Sequence, residues 1–240
     1  MKLSGKTALI TGAAGGIGSV IAVELANRGV SLVLVDHNKD KLLKLFDSLE
    51  NSDKHKYFVV DLSQPKEIFI LAKRVQKEIG RLDILINSVG AGVYKGIEEL
   101  ELEEWNMVLN LDLTAVFLTT KELLPLLKKS SESVIVNMGS KCGVKPIAGR
   151  LDYCTAKFGL RGFTLTLAEE LKETNTRVHH ITLGSTLTEF GPLTITQKEE
   201  LEGDGKKYFT PDFVSKTIVD LIEEGSKTPE IVLEPEELLE

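Results

Sequence analysis

The stretch Lys6-Thr7-Ala8-Leu9-Ile10-Thr11-Gly12-Ala13-Ala14-Gly15-Gly16-Ile17-Gly18 decides the fold. Its first half is an apolar run too short for a helix, and its second half is a glycine-rich turn. A segment with apolar residues at helical spacing comes directly after, giving a predicted helix over 16–28. Strand, glycine turn and helix in this order make the first crossover of a doubly wound sheet. Such a turn suits a pyrophosphate. Glycine lets the chain bend tightly and approach the ligand, and the helix start offers free N–H groups and a positive dipole end. The candidate phosphate-binding residues are Gly12, Gly15, Gly16, Ile17 and Gly18. The common dinucleotide fingerprint spaces its glycines by two and three, whereas Gly12, Gly16 and Gly18 are spaced by four and two.

The same alternation runs outward along the whole chain. Apolar runs at 6–10, 31–35, 57–60, 83–86, 133–137, 178–183 and 230–233 read as short strands. Each is continuously apolar, as expected of strands covered on both faces. Helical patterns lie between them at 16–28, 39–49, 66–79, 103–127, 153–172 and 211–224. The predicted fold class is therefore α/β: a doubly wound, Rossmann-type, seven-stranded parallel sheet with helices on both faces. No linker, repeat or low-complexity tract divides the sequence, so 1–240 reads as one domain. Residues 189–207 break the regularity and read as an irregular insert that lids a substrate cleft.

Composition narrows the function classes. The chain is 42% hydrophobic and 27% charged with a net charge of −7, an ordinary soluble balance that disfavours nucleic acid or an anionic membrane as partner. Lys128-Lys129 and Lys206-Lys207 are short and read as solvated faces. No stretch reaches the ~18 apolar residues of a membrane span, and the start carries no targeting signal, so a cytoplasmic location is expected. Cys142, Cys154 and the pair His179-His180 show no metal-ligand spacing, so no metal is expected.

Two constellations carry chemistry. Asp36 ends the second strand, eighteen residues after Gly18, where a carboxylate can accept from an adenosine ribose. Tyr153 and Lys157 stand four residues apart at the start of a predicted helix and so share one face. A free phenol titrates near 10, too high for a base at neutral pH. An ammonium about 4 Å away stabilises the phenolate by about 4 kcal/mol at an effective dielectric near 20. That predicts a lowered Tyr153. Ser140 stands just past the fifth strand, thirteen residues upstream of Tyr153, which places both at the carboxyl edge where ligands bind.

With these residues in order, the sequence resembles the short-chain dehydrogenase/reductase family almost end to end. The turn Thr11-Gly12-x-x-x-Gly16-x-Gly18, the acidic Asp36, Asp61-Leu62, Asn87, Asn110, Ser140 and Tyr153-x-x-x-Lys157 keep the family's order and spacing. The resemblance implies that Asp61 and Leu62 border the adenine, that Asn87 steadies the cofactor strand, and that Gly90 and Thr188 also contact the cofactor. It further implies that Tyr153 exchanges a proton with the substrate oxygen while hydride moves to or from the nicotinamide. Ser140 would bond that oxygen. Lys157 would hold the ribose and lower the tyrosine. Asn110 would bend its helix to seat a proton-relay water. Departures are Asn87-Ser88-Val89-Gly90 where the family has Asn-Asn-Ala-Gly, Leu183-Gly184 where it has Pro-Gly, and an acidic ending over 227–240 in place of a glycine-rich one.

The expected activity is hydride transfer between NAD(H) and a small secondary alcohol or its ketone. NAD is favoured over NADP because Asp36 would repel a 2′-phosphate. Gly15, His37 and Asn38 supply no cation there, and Lys39 and Lys41 are expected to face solvent. The alternatives are an NADPH-dependent carbonyl reductase, such as a 3-oxoacyl carrier-protein reductase, and a dinucleotide-binding regulator without catalysis. The segments 103–127 and 153–172 carry apolar residues over more than one face. A helix of that kind needs a second partner, which predicts a homodimer or homotetramer built on these two segments.

Overall fold

The computed structural model describes residues 1–235; residues 236–240, the last part of the acidic ending, lie outside the described residues. Seven parallel strands form one sheet in the order β3-β2-β1-β4-β5-β6-β7. They are β1 (Thr7–Thr11), β2 (Ser31–Asp36), β3 (Lys56–Val59), β4 (Ile84–Asn87), β5 (Ser133–Met138), β6 (Thr176–Leu183) and β7 (Glu230–Leu233). The order reverses between β1 and β4, and a crevice opens at such a reversal at the carboxyl edge.

Side chains alternate across each strand, and this divides the core in two. Ala8 and Ile10 of β1 join Leu32 and Leu34 of β2 beneath α1 (Gly18–Asn27), α2 (Lys39–Ser48) and α8 (Pro211–Glu224). Leu9, Val33 and Val35 face the other way, against α3 (Pro65–Glu78) and α5 (Ala115–Leu127). Because each face is covered, every residue of β4 and β5 is buried, which explains the unbroken apolar runs.

Three elements differ from the sequence reading. The segment 103–127 is not one helix. It consists of α4 (Leu102–Leu109), a π-helical turn (Asn110–Thr114) and α5. A π turn carries one residue more than an α turn and commonly marks a functional site. The segment 189–207 is not wholly irregular, since it contains α7 (Ile195–Gly203). Thr194 and Gln197 cap that helix reciprocally, the arrangement of a capping box. The third element is β6, in which His179 and His180 lie in the interior rather than at the start. Burial pushes His180 down to about 4, and His179 bonds the Thr228 carbonyl. Among the described residues no group of three His, Cys, Asp or Glu could hold a metal, and no helix is long and apolar enough to cross a membrane.

Candidate active site

Register lines up the carboxyl ends of the central strands. Thr11 of β1 pairs with Asn87 of β4, and Asn87 with Asn137 of β5. The chains leaving these ends enclose a cleft of about 500 Å³ that reaches from Asp36 past Gly16 to Tyr153.

The glycine turn is held open by steric necessity. Gly12 has φ +64°, and a β-carbon there would come within 2.8 Å of the Ser88 carbonyl oxygen. A side chain on Gly16 would meet Thr188 at 2.8 Å. Helix α1 starts at Gly18, two residues later than expected, so Gly15, Gly16 and Ile17 belong to the turn. No side chain caps α1; Ser19 N donates to the Gly15 carbonyl, and among the described residues the amides of Gly16, Ile17 and Gly18 are left free for an anion. Asp36 ties the turn to β2: its Oδ2 accepts from the Ala14 amide at 3.0 Å and its Oδ1 from the Asn38 amide at 2.9 Å. A second hollow of about 280 Å³ beside Asp36 is lined by Asp61, Leu62, Met107 and Leu111. Turn, carboxylate and hollow together fit a dinucleotide: a pyrophosphate cradle, a ribose acceptor and an apolar slot for a base. Lys41 is exposed, as expected. It borders the cleft and pairs with Glu189 at 2.8 Å.

Asn87 donates to Asn137 Oδ1 at 2.8 Å, joining β4 to β5. Val89, bulkier than the family's alanine, packs against the core on the α3 and α5 side. The backbone beyond it is fastened by two buried carboxylates. Ala91 N donates to Asp112 Oδ1 at 2.7 Å, and Val93 N to Asp152 Oδ2 at 2.8 Å. A β-carbon at Gly90 would crowd the Asp112 carboxylate, 3.0 Å from its Oδ2.

Helix α6 (Leu151–Leu171) presents Tyr153 and Lys157 to the cleft, 7% and 3% exposed. Ser140 joins them from the end of β5, where its hydroxyl accepts from the Cys142 amide at 3.1 Å. The Lys157 ammonium lies 5.5 Å from the Tyr153 ring centroid. It donates to the Met138 carbonyl at 3.1 Å and faces Asp112 Oδ2 at 3.1 Å. Asp112 is fully buried.

Asp112 is the residue that sequence reasoning missed. Among the described residues, Asn110 makes no side-chain hydrogen bond and lies outside the cleft lining; the structure does not bring it to Ser140, Tyr153 and Lys157. The regular helix does break at Asn110, where the π turn begins, and that turn carries Asp112 to the lysine. The signal was a carboxylate between Leu111 and Leu113, since a charge in an apolar helix run is rarely buried without a partner.

The electrostatics also differ from the expectation. Burial pushes the Tyr153 phenol well above its ordinary value, the Asp112 carboxylate adds to the rise, and the Ser140 hydroxyl opposes it. The expected lowering by Lys157 is not what the site produces. A carboxylate answers the ammonium at contact distance, so much of its field is cancelled before it reaches the phenol. Burial likewise pushes Asp112 itself up, with Lys157 and the Ala91 amide pulling against it.

The arrangement resembles proteins of known kind. The profile of the short chain dehydrogenase family matches residues 6–199. The D-threitol dehydrogenase of Mycolicibacterium smegmatis is 34% identical over 191 residues, covering 79% of this chain and 74% of the relative. A 3-oxoacyl-[acyl-carrier-protein] reductase of Thermotoga maritima is 34% identical over 188 residues, covering 77% and 75%. Among solved structures, an alcohol dehydrogenase from the archaeon Thermococcus sibiricus, complexed with 5-hydroxy-NADP, superposes with a TM-score of 0.85. It shares 27% identity, with 95% of each chain covered.

Proposed function

The chain belongs to the short-chain dehydrogenase family of NAD(P)-dependent oxidoreductases, and from that premise we propose that it interconverts a secondary alcohol and its ketone using NAD(H). The observation that carries this reading is the meeting of Ser140, Tyr153 and Lys157 at one end of a cleft whose other end is the glycine turn. When bound, the dinucleotide supplies or accepts the hydride at the substrate carbon. Tyr153, kept protonated by its surroundings, gives the proton to the carbonyl oxygen in reduction and takes it back in oxidation. Ser140 hydrogen-bonds the same oxygen. Lys157 holds the nicotinamide ribose, and Asp112 fixes the ammonium against the Met138 carbonyl. Asn110, where the π turn begins, would keep the role that the resemblance gives it, the bend that seats a proton-relay water. Asp61 and Leu62 would border the adenine, and Gly90 and Thr188 would flank the cofactor.

Preference for NAD(H) rests on Asp36, whose carboxylate is fixed by two amides where a 2′-phosphate would have to sit. Lys41 is engaged by Glu189. The second reading, an NADPH-dependent carbonyl reductase, is favoured by that same Lys41 and by the NADP analogue in the Thermococcus protein. Titrations of NADH and NADPH decide between them. NADH should bind at least about tenfold tighter, about 1.4 kcal/mol, with Asp36→Ala shrinking the ratio. Equal or tighter NADPH binding overturns the preference, and binding of neither overturns the activity.

The 189–207 segment serves as the lid, braced by Lys198, which donates to the Thr188 and Phe190 carbonyls at 2.6 and 2.7 Å. Part of the apolar excess in 103–127 and 153–172 covers the core, for Val108, Val116 and Leu160 are buried. Phe117 and Phe158 remain exposed on α5 and α6, and they support a two-fold contact between copies of the chain. The free, buried Cys142 and Cys154 suit a reducing cytoplasmic setting.

A further inference from the structure

Beyond Tyr153 the cleft wall is cationic, although the chain as a whole carries −7. Arg150 stands three residues before Tyr153 at the start of the same helix. Its guanidinium lies over the Tyr94 ring at 4.9 Å, and its Nη1 is 3.8 Å from Cys142 Sγ. Lys198 reaches in from α7 and is 6% exposed. Two of its three N–H donors go to the Thr188 and Phe190 carbonyls, leaving one for a ligand. Lys206 stands at the rim, 5.0 Å above the Tyr208 ring. Among the described residues, none of these three cations is within ion-pair distance of a carboxylate. Asp112 and Asp152 are wholly buried and engaged by Lys157 and the amides of Ala91 and Val93, and Glu189, between the two carbonyls that Lys198 bonds, pairs with Lys41.

A buried ammonium without a counter-charge is costly to fold around. Burial pushes Lys198 below its ordinary value, and the nearby Lys206 and Arg150 push the same way. An anion arriving between the three would relieve both penalties. Neutral walls complete the pocket: Phe190 lies 5.5 Å from the Tyr153 ring, and Gly191 keeps the Tyr94 hydroxyl uncrowded.

We propose that the substrate carries a compact oxyanion, a carboxylate or a phosphate, held by Arg150 and Lys198 with Lys206 at the rim, while its carbonyl or alcohol carbon lies at Tyr153. Arginine presents a planar fork that takes either oxyanion in two parallel hydrogen bonds. Anchoring the anion fixes the distance from charge to reacting carbon and selects a short oxo acid or phosphorylated ketone over a neutral ketone. This inference rests on the hydride-transfer reading of the same cleft.

The test uses the whole protein saturated with NADH and two matched pairs: acetoacetate with methyl acetoacetate, and hydroxyacetone phosphate with hydroxyacetone. Binding is read from the fluorescence of the bound NADH, and turnover from its oxidation. The anionic member of one pair should bind at least about tenfold tighter than its neutral twin, and which pair responds separates carboxylate from phosphate. Arg150→Met should collapse that ratio. Lys206→Ala, at the exposed rim, should reduce it and serves as the check if Arg150→Met does not fold. Equal binding of both members in both pairs overturns the proposal, as does a ratio that survives both substitutions. Weaker NADH binding in Lys198→Met with the anion ratio intact also overturns it, by assigning that cation to the pyrophosphate. In each of these cases NADH still binds the wild type, so hydride transfer stands; loss of dinucleotide binding in the wild type would instead remove the functional reading itself.

Discussion

Replacing Asp112 with Asn removes one charge from the centre of the site while keeping the side chain's size. The Lys157 ammonium lies 5.5 Å from the Tyr153 ring centroid. At that range and an effective dielectric near 20, an unopposed ammonium stabilises a phenolate by about 3 kcal/mol, roughly two pH units of titration. In the wild type the Asp112 carboxylate, 3.1 Å from the same nitrogen, cancels much of that field and adds its own repulsion of the phenolate. Asp112→Asn should therefore lower the Tyr153 titration midpoint by about one to two pH units. The midpoint is measured as phenolate absorbance against pH, in wild type and Asp112→Asn, each referenced to the same background carrying Tyr153→Phe. The pH profile of alcohol oxidation should move the same way, because the base form of Tyr153 is the one that takes the proton. Lys157 keeps its bond to the Met138 carbonyl, so a folded variant is expected, and its urea midpoint is recorded alongside. A folded Asp112→Asn whose phenol titrates at the wild-type midpoint or higher would refute the argument that this carboxylate sets the tyrosine.

Burial and exposure set two further outcomes. His180 titrates near 4 in the folded chain against an ordinary 6.5, so below 6.5 the unfolded chain binds a proton that the folded chain refuses. Stability should then fall as the pH drops from 6.5 to about 4, by up to about 3 kcal/mol from this residue. Urea midpoints for wild type and His180→Gln across that range should converge at the acid end; parallel curves would contradict the assignment. Phe117 and Phe158 are exposed on α5 and α6, so the double substitution Phe117→Glu and Phe158→Glu should shift the protein from dimer or tetramer towards monomer in sedimentation at micromolar concentration. A wild type already monomeric there would end the two-fold proposal.

The sheet was legible because its central strands, β1, β2, β4 and β5, are covered on both faces and carry short, continuously apolar runs. Pro211 and Thr210 at the start of α8 give a helix boundary that coincides with its sequence signature. The active site was legible where local spacing fixes geometry, as with Tyr153 and Lys157 one turn apart. It was illegible at Asp112, because one extra residue in a π turn rotates everything after it by about 100° relative to a continuous α-helix. The 3.6-residue period of 103–127 carries no mark of that insertion. Helix α7 was overlooked for another reason. Its apolar content is too low for a periodic signal, and only the cap Thr194-x-x-Gln197 announces it. The charge balance around Tyr153 lay beyond sequence altogether, since it depends on three residues brought together from the π turn, the end of β5 and α6.

The central claim, that Tyr153 is the proton-exchanging group of a nicotinamide-dependent oxidoreductase, is tested most directly by separating binding from turnover in Tyr153→Phe. The phenyl ring keeps the packing against Phe190 and removes only the hydroxyl. With the best substrate from the matched pairs, the variant should bind NADH within about threefold of wild type, a difference of under about 0.7 kcal/mol. Its turnover should fall to less than about a hundredth, the scale of a lost general acid–base group. A variant that binds NADH normally and still turns over at more than about a tenth of the wild-type rate would contradict the account.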